Sequence, residues 1–242
     1  MIIVIIDTTS DAHLLHKVYE GVEDSLVLVN PKAEELDALL RERPNETLVG
    51  LGHGCSSGLF GASGPMIIGE RNIDLLKDRE LVCIWCNANG FGDRHPELQG
   101  FFTSMFISNA GEAYCYNFQG YNDDDIFAEV TLFSERVNKL LKDKTPLNEW
   151  VQILYDQHDP TKGYVVFNYQ GLKYFGRVDE NNKRVVIEYD YIDKQVIEEQ
   201  EEVKPKTDKS YYSNYLFDDR AFDDDIDWDL IQDDDGSFKL LL

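Results

Sequence analysis

The chain begins with a run of β-branched residues, IIVII at positions 2–6, and this run most constrains its fold. A strand without a polar residue on either side has to be covered on both faces. Comparable apolar runs recur at residues 25–29, 47–52 and 81–86, and helical patterns separate them. Because such strands alternate with helices, the pattern predicts an α/β fold with a mostly parallel sheet between layers of helices.

Helix start signals follow the first two of these strands. Asp11 can cap a helix over residues 11–21, and Asn30-Pro31 starts a second helix that ends before Pro44. Apolar spacing predicts the remaining elements. These are helices at residues 97–109, 126–141 and 147–155, and a fifth core strand at residues 112–118.

The pattern changes near Pro146. Alternating apolar and polar residues at 163–169, 172–178 and 184–191, with turn signals between them, predict a small antiparallel addition to the sheet. The sequence from 198 onward is acidic and poor in aliphatic residues, which predicts a disordered or loosely docked tail. The chain therefore divides into an α/β core at 1–145, a helix plus β-hairpin or meander packing on the core at 146–197, and an acidic tail at 198–242.

The charge balance restricts the partners of this chain. It has 23 basic and 46 acidic residues, for a formal net charge of −23. Such a chain is repelled by phosphate backbones and anionic membranes, so we expect no nucleic-acid or membrane partner. A basic protein or peptide is favoured, and the acidic tail is a candidate surface for it. Four cysteines, without an export signal or a run of about 20 apolar residues, predict reduced thiols and a cytoplasmic protein.

Two apolar strands end in residues that can perform chemistry. The strand TLVGLG runs directly into His53 and Gly54, and the strand ELVCIW runs directly into Cys86. Ligands bind at the carboxyl ends of strands in such sheets, where neighbouring strand ends meet. An imidazole raises the reactive thiolate fraction of a nearby cysteine. The N–H groups of Gly54 and Cys86 are candidate donors to the oxyanion of a tetrahedral intermediate.

An apolar strand ending in His-Gly, followed by an apolar strand ending in Cys, resembles the caspase-like cysteine peptidases. These include gingipains, legumains, clostripain, separases and the bacterial CHAT domains. The stretch PELQGFFTSMFISNAGEAYCYNF is similar to the helix and strand that follow the catalytic cysteine in the bacterial members. The resemblance covers about residues 1–142, and it implies a three-layer sandwich around a six-stranded, mostly parallel sheet with the dyad at its carboxyl edge.

The resemblance also implies roles for individual residues. Cys86 would be the nucleophile, His53 the general base or acid, and Gly54 an oxyanion donor. Asp7, at the end of the first strand, would lie in the substrate pocket, where an acid favours Lys or Arg before the scissile bond. The implied activity is hydrolysis of a peptide or protein substrate without a metal or other cofactor. The chain departs from the caspases in Trp85, where the family has a small residue, and in the CNANG sequence around Cys86.

Two other uses of the cysteines are disfavoured. Cys83 and Cys86 form a C-x-x-C pair, but Cys83 lies within a predicted strand, on the opposite side of the pleat, which does not suit redox chemistry. A zinc site from His53, Cys55 and Cys86 lacks a fourth ligand and a recognisable ligand spacing. Cys83 and Cys115 are predicted to be buried in strands.

A second class of function remains open. In this alternative, the chain keeps the fold with a degenerate site and acts as a protein-binding or regulatory module through its acidic surface and tail. His95, which precedes a predicted helix, is expected to lie on the surface rather than in a catalytic site.

Overall fold

A mixed sheet forms the centre of the protein in the computed structural model, which describes residues 1–6, 12–61, 64–190 and 195–203. These residues fall within one unit, Met1–Val203. Asp7 and the sequence from 204 onward lie outside the described residues. The strands are β1 (Ile2–Ile6), β2 (Ser25–Val29), β3 (Thr47–Leu51), β4 (Gly54–Cys55), β5 (Gly58–Phe60), β6 (Met66–Ile68), β7 (Glu80–Ile84), β8 (Gln99–Phe102), β9 (Lys173–Phe175), β10 (Lys183–Asp190) and β11 (Gln195–Glu202).

Helices connect most of these strands. The α-helices are α1 (Ala33–Glu42), α2 (Ile73–Leu76), α3 (Ala88–Arg94), α4 (Ala110–Cys115), α5 (Asp123–Lys142), α6 (Trp150–Gln157) and α7 (Gly163–Gln170). Short 3-10 helices span Ala12–Val18, Glu70–Asn72 and Leu147–Glu149.

The main sheet has eight strands in the described residues, in the order β11-β10-β9-β8-β7-β3-β1-β2. Five adjacent strands, β8, β7, β3, β1 and β2, are parallel to one another. The other three, β9, β10 and β11, continue the sheet in antiparallel pairs. The predicted mostly parallel sheet with an antiparallel addition is thereby confirmed. A separate three-stranded antiparallel sheet, β4-β5-β6, occupies the glycine-rich stretch after β3.

Both faces of the sheet are buried at β1, as the composition of this strand requires. Val4 and Ile6 belong to one apolar cluster, which also contains Phe133 of α5. Ile3 and Ile5 belong to a second cluster on the opposite face, with Leu36 of α1. Because side chains alternate across a strand, a strand covered by helices on both sides needs an apolar residue at every position.

The predicted helix at residues 97–109 is wrong. This region forms β8 followed by an irregular segment. Phe101 and Phe102 are both fully buried and belong to the clusters on opposite faces of the sheet, as consecutive residues of a central strand do. Gly100 has a φ of +145°, and a Cβ there would lie 2.0 Å from the carbonyl oxygen of Leu81, so only glycine fits this pairing.

Two predicted strands are helices. Residues 112–118 were expected to be a strand, but α4 covers Ala110–Cys115, because Asn109 caps it by accepting a hydrogen bond from the Glu112 N–H. Residues 163–169 were also expected to be a strand, but they form α7. Its buried residues, Tyr164, Val165, Asn168 and Tyr169, follow the spacing of a helical stripe.

The predicted beginning of the acidic tail at residue 198 falls inside β11, which pairs with β10 from Gln195 to Glu202. A strand at the edge of a sheet tolerates glutamates because its side chains reach solvent. The buried Arg184 of β10 also forms an ion pair with Glu201 of β11, with 2.9 Å between Nη2 and Oε2.

The structure contradicts two further predictions, the burial of Cys115 and the surface position of His95. Cys83 is buried as predicted, but Cys115 is exposed, because it lies on α4 and not in a strand. His95 is buried rather than on the surface. Its ring packs on Phe91, and its Nε2 lies 3.2 Å from Oε2 of Glu70.

Candidate active site

His53 and Cys86 follow two neighbouring parallel strands at equivalent positions. The last pair between β3 and β7 is Leu51 with Ile84, and the N–H of Gly52 donates to the carbonyl of Ile84 over 3.2 Å. His53 and Cys86 each stand two residues beyond that last pair. The register of the sheet therefore brings both residues to the same carboxyl edge, as the sequence predicts.

His53 and Cys86 line one cavity at this edge, together with Phe106, Ser108 and residues of the 3-10 helix Ala12–Val18. The cavity has a volume of about 30 Å³. A space of this size holds one or two water molecules. Ligand pockets are usually about tenfold larger or more, so a substrate side chain enters this site only if its walls move.

The Cys86 thiol is held in a protonated state. Its Sγ donates to the carbonyl of Phe106 over 3.9 Å. The pKa of Cys86 is raised to about 12, mainly by burial and also by the nearby Glu112 carboxylate and Cys55, while the bond to Phe106 opposes them in part. Because the thiolate is the nucleophilic form, the thiol of this geometry is unreactive near neutral pH.

The main chain of His53 is fixed, whereas its ring is not. The His53 carbonyl accepts a hydrogen bond from the N–H of Phe60 in β5 over 2.9 Å. The residue is partly exposed, and within the described residues its imidazole makes no hydrogen bond. Within this part of the chain, a hydrogen bond therefore holds the backbone of His53 and none holds its ring.

Gly54 is required by packing. A Cβ at this position would lie 2.3 Å from Cδ1 of Trp85 and 2.5 Å from the carbonyl oxygen of Gly58. Trp85 is buried, and its Nε1 donates to the carbonyl of Cys55 over 3.2 Å. Trp85, which directly follows β7, thus connects that strand to the small sheet that begins at Gly54.

Within residues 1–6, 12–61, 64–190 and 195–203, the main-chain N–H groups of the two candidate oxyanion donors have no acceptor. Opposite residues of an antiparallel pair alternate between hydrogen-bonded and non-hydrogen-bonded pairs. Phe60 donates to His53, so the next pair, Gly54 with Leu59, is not hydrogen-bonded, and the Gly54 N–H points away from β5. In the part of the chain that the structure describes, the Cys86 N–H has no acceptor.

Thr103 fixes the strand end before Cys86, a role that sequence analysis missed because this region was assigned to a helix. Thr103 is fully buried at the end of β8. Its hydroxyl accepts from the Trp85 N–H over 3.2 Å and donates to the Trp85 carbonyl over 2.7 Å. The Thr103 N–H also donates to the carbonyl of Cys83 over 3.0 Å.

The other candidate sites find less support. Cys83 is buried in the apolar cluster that contains Trp85, and burial raises the pKa of its thiol, whereas Cys86 lines the cavity. The C-x-x-C pair is thus divided between two environments. No group of three or more His, Cys, Asp or Glu side chains is arranged to hold a metal ion among the described residues. Asp7, the predicted pocket residue, lies outside them.

Comparison of the chain with models of protein families and with curated proteins yields no match. Within residues 1–6, 12–61, 64–190 and 195–203, no helix has the length and apolar character needed to cross a membrane.

Proposed function

We propose that this protein is a cysteine peptidase that hydrolyses peptide bonds with Cys86 as nucleophile and His53 as general base and acid. The observation that carries the proposal is the placement of both residues two positions beyond paired ends of adjacent parallel strands, around one cavity. A thiol nucleophile and an imidazole base at the same sheet edge are the two groups that acyl transfer through a thioester requires.

The proposed reaction has two halves. His53 accepts the proton of the Cys86 thiol as the sulfur attacks the peptide carbonyl, and the N–H groups of Gly54 and Cys86 donate to the resulting oxyanion. His53 then protonates the leaving amine, which leaves an acyl group on Cys86. A water molecule, deprotonated by His53, attacks this thioester and releases the carboxylic acid and the free thiol.

The raised pKa of Cys86 sets a condition on this mechanism. A thiol with a pKa of about 12 carries almost no thiolate at neutral pH. Proton transfer to His53 must therefore accompany substrate binding, when the substrate displaces cavity water and the Phe106 carbonyl no longer accepts from the thiol. The enzyme is expected to be latent in the described geometry.

Substrate preference follows from charge. The chain has a formal net charge of −23, and the Glu112 carboxylate acts on the thiol itself. A carboxylate close to the reacting sulfur favours a cationic side chain beside the scissile bond. We therefore expect Lys or Arg before the cut, with Asp7 as a further candidate residue of the pocket.

The test is covalent labelling with peptidyl acyloxymethyl ketones that carry Arg, Lys, Asp or Asn next to the reactive group, together with turnover of the matching fluorogenic peptides. We expect labelling of Cys86 by the basic probes, loss of labelling in Cys86→Ala, and a decrease of at least about 100-fold in His53→Ala. Cys115→Ala is the matched control because Cys115 is an exposed thiol. Labelling that is unaffected by His53→Ala contradicts the proposed dyad.

A second function is favoured by the acidic edge of the sheet. Among the described residues β11 pairs only with β10, and Glu198, Glu199 and Glu202 are exposed along it. An open strand edge binds an extended peptide through main-chain hydrogen bonds, and glutamates select a basic one. In this function the catalytic site is degenerate and the protein is a binding module.

Binding of a Lys-rich peptide, measured by fluorescence anisotropy, tests this alternative. The affinity should fall with salt and with Glu199→Lys, and should be unchanged in Cys86→Ala. Equal binding of an acidic peptide of the same length would contradict it.

A further inference from the structure

The segment at residues 103–109 lies across the candidate nucleophile, between β8 and α4. Phe106 supplies the carbonyl that accepts from the Cys86 thiol, and Phe106 and Ser108 line the cavity. The Phe106 ring packs on Phe133 of α5, with 4.8 Å between ring centroids, and Ile107 is fully buried. The position of this segment therefore determines both the cavity volume and the partner of the thiol.

Asn168 anchors the middle of the segment. It lies on α7 and is only 4% exposed. Its Oδ1 accepts from the Ile107 N–H over 2.8 Å, and its Nδ2 donates to the Ile107 carbonyl over 3.0 Å. A buried side chain amide that satisfies both main-chain groups of one residue fixes that residue in a single orientation.

Glu112 anchors the end of the segment. Its Oε2 accepts from both the N–H and the hydroxyl of Ser108, over 2.7 and 2.9 Å. Glu112 lies on α4, so its anchor is independent of the one on α7. The same carboxylate is close enough to Cys86 to disfavour its ionised form.

We propose that Asn168 and Glu112 are positioning residues that hold the 103–109 segment against Cys86 and thereby limit the reactivity of its thiol. The proposal concerns the site of the proposed peptidase. It rests on that function for the catalytic role of the thiol, whereas the contacts of the segment do not depend on it. The two residues act differently. Asn168 controls the position of the segment without charge, whereas Glu112 adds a negative charge that opposes the thiolate.

Substitutions separate the two effects. Asn168→Leu removes both hydrogen bonds to Ile107 and keeps the branched shape of the side chain. Glu112→Gln keeps an amide oxygen for Ser108 and removes the charge. Asn72→Leu is the matched control. Asn72 is also buried, accepts from the Gly69 N–H and donates to the Ile67 carbonyl and to Asp37, and the adjacent Ile73 belongs to the cluster on the other face of the sheet.

The experiment measures iodoacetamide alkylation of each cysteine by peptide mapping of the native protein from pH 6 to pH 10. Asn168→Leu should accelerate modification of Cys86 by about tenfold to hundredfold, because the segment opens more readily without two buried hydrogen bonds. Glu112→Gln should shift the pH profile of Cys86 to lower pH, since the carboxylate no longer opposes ionisation.

The buried Cys83 reports general loosening of the structure. The proposal is overturned if Cys86 reacts no faster in Asn168→Leu than in Asn72→Leu, if Cys83 is accelerated to the same extent, or if Glu112→Gln leaves the pH profile unchanged. Because alkylation needs no peptide substrate, accelerated labelling without peptidase turnover would refute the proposed function and leave the positioning roles intact.

Discussion

Thr103→Val probes how the strand end before the nucleophile is held. The substitution replaces the hydroxyl with a methyl group of similar size at a fully buried position. The Trp85 N–H loses its acceptor, which costs about 1–3 kcal/mol for a buried donor left without a partner. The Trp85 carbonyl keeps the Ala88 N–H at 3.3 Å and loses only one bond, at about 0.5–1.5 kcal/mol. We expect a total loss of about 2–4 kcal/mol in the free energy of unfolding.

Urea denaturation followed by tryptophan fluorescence measures this loss, and thermal denaturation should show a decrease of about 4–16 °C in the midpoint. Thr103→Ser keeps the hydroxyl and should cost only about 1 kcal/mol for the lost methyl group. Thr131→Val is the control, because the Thr131 hydroxyl bonds a carbonyl of its own helix, Phe127, and its removal should stay within about 0.5 kcal/mol. If Thr103→Val is no more destabilised than Thr103→Ser, the hydroxyl does not hold the strand end.

Two further predictions concern the same edge. Gly54→Ala should destabilise the fold by about 1–3 kcal/mol in urea denaturation, because the new Cβ would lie 2.3 Å from the Trp85 ring; an unchanged midpoint would mean that the ring shifts freely. The pKa of Cys86 is about 12 in the folded protein against an ordinary 9.0, so the unfolded chain loses this proton first as the pH rises. The wild type should therefore lose stability relative to Cys86→Ala above about pH 9, by up to about 1.4 kcal/mol per pH unit, and equal pH profiles for the two proteins would contradict the raised pKa.

The elements that could be predicted are those whose signals are local. The β-branched run of β1 requires burial on both faces wherever the strand lies, so the parallel sheet follows from composition. Helix α5 carries its own start signal in Asn122 and Asp125, which form a capping box, and its own apolar stripe. The shared edge of His53 and Cys86 is likewise a consequence of two neighbouring parallel strands that end in register.

The region from 97 to 118 could not be assigned in this way. Its apolar residues, Phe101, Phe102 and Phe106, have a spacing that fits a helical stripe, whereas β8 exists because β7 and β9 pair on both its sides. Strand β11 was missed for a related reason. Its glutamates give no strand signal, and its place depends on pairing with β10 and on the ion pair between Arg184 and Glu201.

The sequence by itself determined the parallel strands β1, β2, β3 and β7, the burial of β1 on both faces and the two residues at the carboxyl edge. These features follow from the composition of each strand and from the order of neighbouring strands along the chain. Only the tertiary structure decided the state of the Cys86 thiol. Its pKa depends on burial, on the Phe106 carbonyl and on Glu112, which reach it from a segment and a helix that follow it in the chain. Electrostatic effects on a buried group depend on distances in space, and the order of residues along the chain does not specify those distances.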